Sequence, residues 1–134
     1  PGKLIVLDGV QGAGQKELGK RLAKELGCQH RSVDIEEIVP VVRADIQGAL
    51  AKGSVIVDGV MMRTIIAAAS VDVDVHVYVV PSQANKRRAF WEGILSKPLD
   101  AYLAELKDIN DKQTVKYHWS THPVVNADFI VEGA

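Results

Sequence analysis

At 134 residues, with 47% hydrophobic and 25% charged side chains and a net charge of −1, the chain has the length of one ordinary globular domain spanning 1–134. That near-neutral balance excludes the electrostatic footprint of a nucleic-acid or anionic-membrane binder, and a single cysteine, Cys28, excludes an internal disulfide framework. No apolar run approaches the roughly 18 residues of a membrane span, and no leader pattern opens the sequence, so the expectation is a cytoplasmic protein whose Pro1 follows a removed initiator Met.

An apolar run at 4–7 reads as the first strand and runs into a turn carrying Gly9, Gly12 and Gly14. A helix follows from about Gln15 to Leu26, with Leu18, Leu22 and Leu26 as its apolar stripe and Gly27 as its stop. The pairs Glu17–Arg21 and Arg21–Glu25 support its wet face. A weaker strand lies at 30–33. Residues 40–51 form a second helix, opened by Pro40, closed before Gly53, and striped by Val42, Ile46, Ala49 and Leu50. A strand at 55–57, a short helix at 61–69 and a strand at 75–80 come next. Helical segments are then expected at 83–95 and, after Pro98, at 99–109, with a helical turn at 114–121 before Pro123 and a last strand at 129–131. Consecutive apolar positions suit strands buried on both faces. The alternation predicts a doubly wound α/β fold, a three-layer sandwich with about five parallel strands and ligands at their carboxyl ends.

The turn after the first strand carries the chemistry. A P-loop reads G-x-x-x-x-G-K-[ST], in which Lys meets the terminal phosphates and the hydroxyl holds Mg²⁺. Here Gly9, Val10, Gln11, Gly12, Ala13 and Gly14 keep the spacing, but Gln15 stands at the Lys position and Lys16 at the hydroxyl position. Backbone amides and a helix N-terminus still suit an anion, so Gly9, Gln11, Gly12, Ala13, Gly14, Gln15, Lys16 and Glu17 are the candidate ligand-binding residues. Lys16 is displaced by about 100° around the helix, which predicts a side chain turned away from the phosphates.

Residues 4–27, with Asp8, Gly9, Gly12, Ala13 and Gly14 in register, resemble the opening of thymidylate kinases, whose loop reads acidic-Gly-x-Asp-Gly-Ala-Gly-Lys-[ST]-[ST]. Residues 49–59 are similar to that family's helix–Gly–strand ending in Asp-Arg-aromatic; Asp58 matches, while Gly59 and Val60 replace the Arg and the aromatic residue. Residues 73–88 resemble the later strand and basic helix leading into the lid, and 127–133 the last strand. The resemblance implies a P-loop kinase-like fold, ATP and Mg²⁺ as cofactors, and catalytic roles for Lys16, Asp58, Arg87 and Arg88. It also shows what is missing: the loop Lys, the metal-holding hydroxyl, the Arg that contacts the acceptor phosphate, and length between Arg63 and Val71. The resulting expectation is a degenerate nucleotide-kinase-like domain, a catalytically inactive pseudokinase serving as a structural or partner-binding subunit or homo-oligomer with a vestigial nucleotide site. An active kinase acting on a nucleoside monophosphate is the alternative, and a dinucleotide-binding domain the second alternative.

Several residues admit two readings. Asp8 is a kinase-like polar residue or a solvated strand end. Asp34, 20 positions beyond Gly14, is a ribose or acceptor carboxylate, or a helix N-cap with Glu37 at capping-box spacing. Asp58 reads as a ligand of metal-bound water or as a loop residue. Lys86, Arg87 and Arg88 are lid cations or a solvated helix face. Phe90, Trp91 and Trp119 suit core or interface, and Met61 and Met62 add interface material. His118 and His122 have the i,i+4 spacing of a metal pair but no third ligand, so no metal site is expected; His30 and His76 have no partner legible in the sequence.

Overall fold

Side-chain parity along the first strand organises the domain. In β1 (Leu4–Gly9), Leu4 and Val6 point to one face of the sheet and Leu7 to the other, each fully buried. The computed structural model describes residues 2–83 and 109–133. In chain order these form β1, α1 (Gln15–Leu26), β2 (Gln29–Ser32), α2 (Val39–Lys52), β3 (Val55–Asp58), α3 (Met62–Ala69), β4 (Val75–Val80), α4 (Ile109–Thr121) and β5 (Phe129–Glu132). The helical segments expected at 83–95 and 99–109, with Arg87, Arg88, Phe90 and Trp91, lie outside the described residues or at their border.

The five strands make one all-parallel sheet in the order β2-β3-β1-β4-β5. Leu4, Val6, Val55 and Val57 pack with Val42 and Ile46 of α2 and Met62 and Ile66 of α3, while Leu7, Ile56 and Val79 pack with Leu18 and Ala23 of α1. The sheet is therefore sandwiched between helical layers, as the apolar runs predict. After β1 the chain crosses to the far edge and returns through β3; after α3 it passes to β4 on the other side of β1. The β1–α1 loop thus sits where the winding reverses, the crevice in which open α/β sheets hold ligands.

Two expectations are corrected. The α1 stripe does not run through Leu26, which is 64% exposed; the buried face is Gln15, Leu18, Gly19 and Ala23, with Leu22 partly buried. Each four-residue step overshoots the helical repeat by about 40°, so two steps turn Leu26 roughly 80° away from Leu18. Nor is β5 buried on both faces: Phe129 is 60% and Ile130 50% exposed, because β5 is an edge strand that pairs with β4 alone among the described residues.

Candidate functional site

Glycine geometry builds the loop. A Cβ at Gly9 would lie 2.8 Å from the Val79 carbonyl oxygen, so only glycine lets β1 leave the sheet beside β4. Gly12 (φ 81°) and Gly14 (φ 93°) hold left-handed backbone, and Ala13 N–H closes the turn on the Val10 carbonyl at 3.1 Å. Gly14 caps α1 without a side-chain hydrogen bond, which leaves the helix's first amides facing the crevice. An open cavity of about 560 Å³ lies there, bounded by the loop and α1 on one side and by the tips of β2 and β3 on the other. A cavity of similar size, about 570 Å³, opens at the other end of the same strands, beside Cys28 and Lys52 where β2 and β3 begin, away from the loop.

Gln15 is buried rather than aimed at a ligand. Its Nε2 donates to the carbonyls of Val10 and Gly59, both at 3.2 Å, tying the loop to the exit of β3. Lys16 is among the residues bounding the cavity, together with Gln11, Gly12, Gly14, Gln15 and Glu17. Of the eight candidate ligand-binding residues, Gly9 and Ala13 lie beneath the cavity rather than on its wall, Ala13 packed into the core, while Gln15 borders the cavity and is bonded into the protein through its side chain.

Asp58 also lines the cavity but is only 2% exposed. Its Oδ2 is held by His30 Nε2 and by Ser32 Oγ, the latter at 3.2 Å. Gly19 of α1 lies over this pair: a Cβ there would come within 2.9 Å of both Asp58 Oδ2 and His30 Nε2. The histidine without a legible partner is thus the partner of the candidate catalytic carboxylate. Gly59 admits no side chain, since a Cβ would meet Met62 Sδ at 2.7 Å and the Val33 carbonyl oxygen at 2.9 Å. Val33 and Met62 fill the space into which a side chain at position 59 would grow.

Asp34 makes one of the two capping-box bonds, the one from its amide to Glu37, yet it caps no helix. Its amide donates to Glu37 Oε2 at 2.7 Å and its Oδ1 accepts from the Glu36 amide at 3.0 Å, closing an isolated turn. α2 begins only at Val39, after an extended Ile38. Arg31 grips Glu37 through both guanidinium Nη atoms and also bonds Asp45. It thereby holds the Glu37 carboxyl below the usual range. The cavity wall therefore carries Glu17, Asp34, Glu37 and Asp58 against Lys16.

Asp8 is neither solvated nor in the cavity. It follows the parity of Leu4 and Val6, and its Oδ1 accepts from the amides of Gly9 (2.9 Å) and Met62 (3.1 Å) while Tyr117 Oη donates to Oδ2. Burial raises its carboxyl above the usual value, opposed by these hydrogen bonds. Beside it, Tyr78 bonds His118 Nε2, and His118 Nδ1 donates to the Thr114 carbonyl at 2.7 Å. Both ring nitrogens of His118 are committed, and among the described residues no group of three His, Cys, Asp or Glu could hold a metal. Burial lowers the His118 pKa, so the unfolded chain takes up its proton first as pH falls through 6.5. The stability this group provides is complete above pH 6.5 and is lost below it. Melting temperatures measured on either side of pH 6.5 should fall on the acid side, with a shallower slope in His118→Gln.

The described residues thus define a parallel α/β domain with a glycine-built loop at the switch point of its sheet. No family model matches the chain, and no curated protein does. Among solved structures it is similar to a shikimate kinase from Acinetobacter baumannii in complex with shikimate, at 17% identity and a TM-score of 0.47, covering 99% of this chain and 84% of that one.

Proposed function

We propose that this chain is a nucleotide-kinase-like domain that binds a phosphate-bearing ligand without phosphoryl transfer, and that it serves as a subunit or partner-binding module. The observation that carries the reading is the Gln15 carboxamide, whose two Nε2 hydrogens are spent on the Val10 and Gly59 carbonyls. Phosphoryl transfer needs neutralisation of the moving charge, and a buried neutral amide turned into the protein supplies none. Among the described residues, the loop does not suit a divalent ion either. Lys16 brings an ammonium where a hydroxyl would bind the metal, and Asp58 is already engaged by His30 and Ser32. What the loop retains is the anion cradle: α1 amides without a side-chain cap, with Lys16 alongside. Exposed Ile35, Ile38 and Val41 beside the cleft offer apolar surface to a partner.

Titration calorimetry with ATP and with inorganic pyrophosphate, with and without Mg²⁺, tests the reading. Binding is expected to be weak, salt-sensitive and indifferent to Mg²⁺. Lys16→Ala should weaken it about tenfold, the value of one charge-assisted hydrogen bond. Tight Mg²⁺-dependent ATP binding would defeat it in favour of an active kinase, and no binding would leave the fold as scaffold alone.

A further inference from the structure

We infer that Tyr117 is a positioning residue for the anion loop, acting from α4 through the Asp8 carboxylate; the inference rests on the reading of that loop as an anion site. One carboxylate oxygen, Asp8 Oδ1, accepts from two amides that belong to different parts of the cleft. Gly9 is the last residue of β1 and starts the loop, and Met62 is the first residue of α3. The second oxygen is fixed by Tyr117 Oη, which also accepts from the Arg63 amide at 3.0 Å. The hydroxyl therefore decides how the carboxylate is rotated, and the rotation decides whether both amides are satisfied.

From Met62 the constraint passes to the opposite cleft wall. The Met62 side chain lies against Gly59, the Gly59 amide donates to Leu7 at 3.2 Å, and the Gly59 carbonyl receives Gln15. These contacts form an unbroken physical path from α4 to both sides of the loop. α3 has no capping side chain of its own: Met61 precedes it in left-handed backbone (φ 50°), and the cap comes from Asp8, 54 positions earlier. Asp8 and Tyr117 are both nearly fully buried, so a bond lost between them is not simply exchanged for one to bulk solvent.

The test is amide hydrogen exchange and pyrophosphate titration on Tyr117→Phe, which keeps the ring and removes the hydroxyl. Exchange at Gly9, Met62 and Arg63 should accelerate at least tenfold while Ile46 and Ile56 in the core keep their rates, and pyrophosphate affinity should fall three- to tenfold. Unchanged exchange at the three amides overturns the inference, as does uniform acceleration across the core, the signature of a merely structural residue. Should Tyr117→Phe fail to fold, Asp8→Asn repeats the exchange test. It keeps an acceptor for Gly9 and Met62 but turns a donor toward Tyr117, so Arg63 should accelerate locally, and no change there overturns the inference. If the unaltered protein binds no pyrophosphate, the anion-site reading fails, while the exchange result still decides whether Tyr117 positions the loop.

Discussion

Replacing Gly19 by alanine should destabilise the protein by about 2 kcal/mol, a fall of roughly 6–10 °C in melting temperature for a chain of this size. Helix propensity alone predicts the reverse, a gain of up to ~1 kcal/mol, because alanine is the better helix former. The new methyl would press on Asp58 Oδ2 and His30 Nε2 at 2.9 Å. These are side-chain atoms, yet they are bonded to each other and Asp58 has almost no exposed surface into which to retreat. Separating them leaves a buried carboxylate with only the Ser32 hydroxyl, and taking a hydrogen-bond partner from a buried polar group costs on the order of 1–3 kcal/mol. Gly48 supplies the control: on α2 a Cβ would meet nothing within 4 Å, so Gly48→Ala should be neutral or stabilising. Thermal melts of the two variants decide the matter, and a stabilised Gly19→Ala would sink the packing account. In a His30→Ala background the alanine at 19 should cost much less, giving the non-additivity expected of touching residues.

Gln15→Lys should raise pyrophosphate affinity by about 10- to 50-fold, or roughly 1.4–2.3 kcal/mol. A lysine is one atom longer than glutamine and ends in three donors and a charge. It can keep the Val10 and Gly59 carbonyls as partners and still direct a hydrogen toward the cleft, whereas the glutamine has spent both of its own. The gain should shrink at high salt, as an added cation–anion contact requires. Calorimetry against the unaltered protein measures it. Equal affinity would mean that the ligand does not sit at the loop, and the anion-site reading would go with it.

Much of the fold was legible because its signals are local. The apolar runs at 4–7, 55–57 and 75–80 each became part of a strand of one parallel sheet, and Pro40 and Gly53 bracket α2 as read. The loop glycines were legible for the same reason, since left-handed backbone at Gly12 and Gly14 is a property of the residue itself. Failures arose where position in the assembly outweighed pattern. β5 is apolar but occupies an edge, and Asp34 with Glu37 makes half of a capping box without a helix to cap. Strand parity held an unread clue: Asp8 shares a face with Leu4 and Val6, and Asp58 with Ile56, which assigns them to opposite helical layers.

By itself, then, the sequence determined the five strands and first three helices, their alternation, the glycine loop and the replacement of its lysine, all written in spacings of a few residues. The helical turn expected at 114–121, by contrast, is a helix over Ile109–Thr121. Only the tertiary structure decided what the buried polar groups do. Gln15 finds Gly59 44 positions away, His30 finds Asp58 at 28, and Tyr117 finds Asp8 at 109. Such partners are chosen by how helices lie across the sheet, because a polar group sealed from water must bond whatever donor or acceptor the packing brings within reach.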